Sequence, residues 1–193
     1  MDALTLAALG KCGAAAAIAL AAVGSAVGTG IAGMASIGAW KKCYLQNKAA
    51  PFMLLIFIGA PLSQTIYGMI LMNAIYRICN VSTYLSPEVL QAAKAAAQTA
   101  GSSNWMIHVP VEAMSSAQQA LSLAVVNWPV MITVGVLGGA AMAMSALWQG
   151  KTGASGADAL SETGKGFGNY LMAIGVVETV ALFVLVFVQT VIK

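Results

Sequence analysis

Of six acidic residues, five fall in polar segments or at a chain end: Asp2, Glu88, Glu112, Asp158 and Glu162. The sixth, Glu178, sits inside the apolar run Ile174-Gly175-Val176-Val177-Glu178-Thr179-Val180-Ala181-Leu182-Phe183. If that run spans a membrane, a rise of about 1.5 Å per residue places Glu178 near mid-bilayer. An ionised side chain there costs roughly 2.5 to 3.5 kcal/mol, so its presence points to binding and releasing a proton or a cation. The competing reading is a protonated acid that only hydrogen-bonds a neighbouring helix. Three other polar side chains share its chemistry. Ser63, Gln64 and Tyr67 follow Ala60 at i+3, i+4 and i+7, on one face of one helix. Pro61 has no N–H and leaves the Phe57 carbonyl without its usual donor. Within a bilayer such a carbonyl is tolerated where it is buried or lines a cavity. Gln149 and Glu178 lie about equally far from a turn centred near residue 163. An antiparallel pair brings them to one depth, provided the third helix continues past Lys151. Each glutamine alone also fits simple interhelical hydrogen bonding, worth about 0.6 kcal/mol.

The elements that must position these groups follow from composition. Of 193 residues, 60% are hydrophobic and 8% charged, against about 25% charged in a soluble domain. A water-soluble enzyme and a disordered chain are both excluded. At about 20 residues per span, the length accommodates four spans with connections. The net charge of +3 is scattered, which argues against nucleic-acid binding. Cys12, Cys43 and Cys79 have neither metal-ligand spacing nor an even count, so no disulfide framework or metal site is indicated. Apolar runs cover residues 4–39, 52–75, 128–148 and 167–192, with polar segments at 41–48 and 151–165. No basic residue precedes Lys11 after the acidic Met1-Asp2 start, so the first run is expected to be a retained span and not a targeting signal.

The runs pair into a first hairpin (1–79) and a second (128–193), separated by a segment at 80–127. There, Ser86-Pro87-Glu88 predicts a helix start, Gly101 a stop, and Pro110-Val111-Glu112 a second start. Asn127-Trp128-Pro129 predicts a further boundary, with Trp128 at interfacial depth. Neither middle helix is apolar enough to span, so each is expected to lie on one membrane face or to extend the third helix outward. The first helix carries overlapping small-residue pairs (Gly24/Gly28, Ser25/Thr29, Ala26/Gly30), and the third carries Gly135, Gly138, Gly139 and Ala143. Such pairs let backbones approach closely, which predicts an inner layer of odd-numbered helices and an outer layer of the bulkier even-numbered ones. The hairpins read as copies of one unit, with Leu62 standing opposite Glu178.

The Gly-Ser-Ala-x-Gly run at 24–28, Pro61-x-x-Gln64-x-x-Tyr67-Gly68, Gln149-Gly150-Lys151 and Val177-Glu178-Thr179 give a specific resemblance. The chain resembles the K subunit of bacterial V-type (V/A-type) rotary ATPases, the duplicated c-type proteolipid of the membrane rotor ring. The resemblance implies an all-α membrane protein of four transmembrane helices, built as two duplicated hairpins. It also implies a homo-oligomeric ring, with Glu178 binding the transported ion. In sodium-using members the residues matched by Ser63, Gln64 and Gln149 complete the site with a backbone carbonyl at about Ala60, and the residue matched by Tyr67 hydrogen-bonds the carboxylate. Ala60 and Ser63 stand where the family leads one to expect Leu and Thr, and the 80–127 segment exceeds its usual link.

The five candidate oxygens (Glu178, Gln64, Gln149, Ser63, Ala60) favour Na+ as the carried ion, with H+ at Glu178 as the alternative. The expected partners are identical ring subunits, a stator membrane subunit bearing an Arg, central-stalk subunits and membrane lipid, with no nucleic acid and no cofactor. The chain has no phosphate-binding loop, so it is expected to be a non-catalytic subunit, with ATP hydrolysis elsewhere. Five of nine Lys and Arg residues (Lys41, Lys42, Lys48, Lys151, Lys165) are expected on the face opposite the termini. With the resemblance, this puts the hairpin turns and Cys43 in the cytoplasm and both termini, with Cys12 and Cys79, on the outside of the cell membrane. A small proton-coupled multidrug exporter with one intramembrane Glu is the rival reading, and a purely structural four-span protein a third.

Overall fold

The computed structural model describes residues 3–80, 82 and 85–192, without the side chains of Ala3 and Leu4. The acidic start at Met1-Asp2 and, within the middle segment, Val81, Thr83 and Tyr84 lie outside the described residues, as does Lys193. Among the described residues all regular structure is helical. Helix α1 runs Ala3–Leu45. Helix α2 (Leu54–Gly59) leads through a 3-10 turn at Ala60–Leu62 into α3 (Ser63–Cys79). Helix α4 is Pro87–Thr99, and a 3-10 turn at Trp105–His108 precedes α5 (Val111–Thr163) and α6 (Phe167–Val191). Among the described residues, four stretches are long and apolar enough to cross a membrane: Thr5–Leu45, Leu54–Cys79, Val111–Thr163 and Phe167–Val191.

Helices α1 and α5 lie parallel and nearly backbone to backbone. A Cβ on Gly24 would strike the Ala143 backbone, and one on Gly28 the Ala146 carbonyl. From the other side, a Cβ on Gly135 would strike Gly13, and one on Gly150 would strike Gly28. Rising numbers on α1 thus meet rising numbers on α5, as two copies of one hairpin require. Dispersion across such close approach stabilises helices in lipid, where no hydrophobic drive separates one apolar neighbour from another. Gly30 and Gly38 take no part, since nothing lies within 4 Å of a Cβ at either. The bulkier α3 and α6 pack on this pair through Leu71, Ile75, Ala181 and Leu185. They leave Ile66, Met69, Leu182, Phe183 and Phe187 exposed, the apolar outer surface that a bilayer demands.

One expectation about helix limits is corrected, at Pro129, and the structure sets the helix ends within the two polar segments. The segment 41–48 is helical as far as Leu45, because Trp40 Nε1 anchors the turn by donating to the Pro51 carbonyl at 2.8 Å. Asn127-Trp128-Pro129 is no boundary, since α5 runs through Pro129. The segment 151–165 is helical to Thr163, because its glycines and alanines fit against the neighbouring helices; Gly153, for one, lies beside the Phe57 carbonyl. The connection to α6 is short and turns on left-handed Gly164 (φ 64°) and Gly166 (φ 87°). At that end Lys42 of α1 pairs with Glu162 and, at 3.7 Å, with Asp158 of α5.

The middle segment forms a satellite core. Ser86 caps α4 by accepting from the Val89 N–H, with Pro87 at the first helical position, and left-handed Gly101 (φ 63°) follows the helix end. Ala93 of α4 is buried with Val109, Ala117 and Ala120 around the start of α5. Of the two arrangements expected, the second middle helix extends the third span outward.

Candidate ion-binding site

The break at Pro61 shapes the site. The 3-10 turn Ala60–Leu62 interrupts the second span, and it delivers Ser63, Gln64 and Tyr67 to the interior. The Ser63 hydroxyl donates to the Ala60 carbonyl at 3.0 Å and lies 3.2 Å from Gln64 Oε1. The Ser63 hydroxyl therefore touches both the Ala60 carbonyl and the Gln64 amide oxygen. Gln64 and Gln149 are each 0% exposed, on α3 and α5. Such amides are costly to bury without partners, yet Gln64 Nε2 and Gln149 Oε1 have none.

Glu178 lies on α6, half-buried. Tyr67 Oη donates to its Oε1 at 2.7 Å, and Gln149 Nε2 lies 3.4 Å from its Oε2. The first has the ordinary length of an O–H···O hydrogen bond, and the second is long. Tyr67, Gln149 and Glu178 thus come together from α3, α5 and α6. Ser63 and Gln64 of α3 and Ala60 of the preceding 3-10 turn form an adjoining group, and none of them hydrogen-bonds Glu178. The expected common depth of Gln149 and Glu178 is met because α5 continues past Lys151. Lys151 itself turns away, its Nζ 4.4 Å from the centre of the Trp148 ring.

One positioning residue escaped the sequence reading. Ser145 Oγ donates to the Val177 carbonyl at 3.0 Å, clamping α5 to α6 one residue before Glu178. The available signal was its spacing, since Ser145 stands four residues before Gln149 and shares its face. No metal-ligating group of three or more His, Cys, Asp or Glu occurs among the described residues. The three cysteines are unbonded; Cys12 is exposed, while Cys43 and Cys79 are buried.

Four membrane-length helices, paired as two hairpins around one half-buried carboxylate, define a multi-pass membrane proteolipid. Residues 132–188 match the family model of the ATP synthase C subunit. That stretch holds Gln149 and Glu178, so the second hairpin is similar to the C subunit of ATP synthase. No curated protein matches the chain.

Proposed function

We propose that this chain is the rotor-ring subunit of a bacterial V-type ATPase and that each copy carries one Na+ at Glu178. The observation that supports this best is the convergence of Tyr67 and Gln149 on Glu178, beside the oxygen group of Ala60, Ser63 and Gln64. Sodium gives up its hydration shell only where several oxygens replace it. The Glu178 carboxylate, the Gln64 and Gln149 amide oxygens, the Ser63 hydroxyl and the Ala60 carbonyl are the replacements. Tyr67 holds the carboxylate in place while the site faces lipid. Where a ring site meets the stator, an Arg of the stator competes for Glu178 and releases the ion into a half-channel. Central-stalk subunits carry the torque from a separate ATP-hydrolysing head.

The first hairpin (1–79) and the second (128–193) are the two copies of the ancestral unit, with 80–127 an extracytoplasmic insertion. Lys41, Lys42, Lys48 and Lys165 cluster at the hairpin turns, which suits a cytoplasmic location for that end. Proton transport is the second reading. It draws on the absence of any hydrogen bond from Ser63 or Gln64 to Glu178, because a protonated carboxyl needs only the two partners it has.

Glu178→Gln preserves size and hydrogen bonding but removes the exchangeable charge. The variant ring should assemble at the wild-type mass while ATP-driven ion uptake into vesicles is abolished. Uptake retained at the wild-type rate would overturn the assignment.

A further inference from the structure

At the end of the bundle opposite the hairpin turns, two cavities meet at Tyr76. The first, of about 270 Å³, is lined by Lys11 of α1, Lys94 of α4, Asn80, Ser82 and Trp105. The second is a groove of about 600 Å³ between α3 and α6, walled by Ile70, Ala74, Ile78 and Ile192, with Arg77 on its lining. Among the described residues, no acidic side chain lines either one. Lys11 makes only a 3.4 Å contact with Asn80 Oδ1 and sits 5.6 Å from the Tyr76 ring centre. Lys94 and Arg77 have no ion pair among the described residues. Lys11 and Lys94, brought to one cavity from two elements, repel one another until an anion joins them.

Depth narrows the choice of anion. Arg77 lies 13 residues beyond Gln64, and Gln189, also on the groove, lies 11 beyond Glu178. At about 1.5 Å per residue these are about 20 and 16 Å along their helices. Half a hydrocarbon core is about 15 Å, so both fall at headgroup level. This step alone rests on the reading that Glu178 lies near mid-bilayer. A basic, aromatic-walled cavity at headgroup level, joined to an apolar groove that descends from it, has the two-part chemistry of a phospholipid.

We propose that Lys11 and Lys94 bind the phosphate headgroup of an anionic phospholipid, with an acyl chain lying past Arg77 in the α3–α6 groove. The α4 segment supplies Lys94 and Trp105, so the inserted middle segment builds one wall of the headgroup site.

The test uses the full-length assembly in nanodiscs of equal phosphatidylglycerol and phosphatidylcholine, transferred to detergent, with retained lipid counted by mass spectrometry. Wild type should retain phosphatidylglycerol in excess. At about 1 kcal/mol per near-surface lysine, Lys11→Gln with Lys94→Gln should weaken that retention about 30-fold. Ala8→Phe, which fills the cavity and leaves both lysines, should do the same, whereas Lys41→Gln at the opposite end should change nothing. Equal retention of the two lipids, or undiminished phosphatidylglycerol in both cavity variants, would overturn the proposal. So would its displacement by millimolar inorganic phosphate, which would mark a site for a soluble anion. The assay reads no ion transport, so its failure leaves the role of Glu178 standing, and failure of the Glu178→Gln test leaves the lipid count unaffected.

Discussion

Tyr67→Phe removes one hydroxyl and little else. The ring stays packed against the cluster around Leu71, so the substitution isolates the 2.7 Å bond to Glu178 Oε1. Hydrogen bonds to charged groups contribute about 1.5 to 3 kcal/mol. Tyr67 is only half-buried, which argues for the lower part of that range. The second contact to the carboxylate, from Gln149 at 3.4 Å, is too long to compensate. A loss of about 1.5 to 2 kcal/mol corresponds to a dissociation constant raised about 10- to 30-fold. Equilibrium binding of radioactive sodium to the purified, detergent-solubilised assembly measures it directly. A change of less than about threefold would refute the reasoning, because the hydroxyl would then contribute equally to the empty and the loaded site.

Gly24→Leu should lower the thermal unfolding midpoint of the solubilised protein sharply, since overpacking costs about 1 to 3 kcal/mol and the obstacle here is the rigid Ala143 backbone. Gly168→Ala, with nothing within 4 Å of the new Cβ, should leave it unchanged. For sidedness, buried Cys43 is a poor reporter, its Sγ packed 3.9 Å from the Ser161 carbonyl. In a cysteine-free background, exposed Lys165→Cys should resist an impermeant thiol reagent in intact cells and react once the membrane is opened.

The membrane class and the four spans were legible because apolar runs report the bilayer directly. The α1–α5 seam was half legible. Gly24 and Gly28 lie in it, but Gly30 does not, because spacing alone cannot say which face of an Ala/Gly helix meets its neighbour. Helix ends were the weakest reading. Pro129 and the Thr, Gly and Ser residues after Lys151 carry low helix propensity, which tertiary packing overrides within a 53-residue helix. The grouping of Glu178 with Gln149 was legible from equal distances to a turn, and Tyr67 from its helical face together with the resemblance. Ser145 was not, because a lone serine in a span more often bonds its own helix than a neighbouring carbonyl. The site on Lys11 and Lys94 was beyond reach, since residues more than eighty positions apart meet only through the placement of α4.

Carbodiimides attack a protonated carboxyl group, and bound sodium would hold Glu178 ionised. The most direct test therefore incubates the purified assembly with dicyclohexylcarbodiimide near neutral pH and follows the modified residue by mass spectrometry as sodium is raised. The account predicts a single adduct, on Glu178, suppressed by millimolar sodium but not by potassium. A Glu178 adduct that forms at the same rate with or without sodium would contradict sodium carriage, and an unreactive Glu178 would contradict its role as the ion carrier.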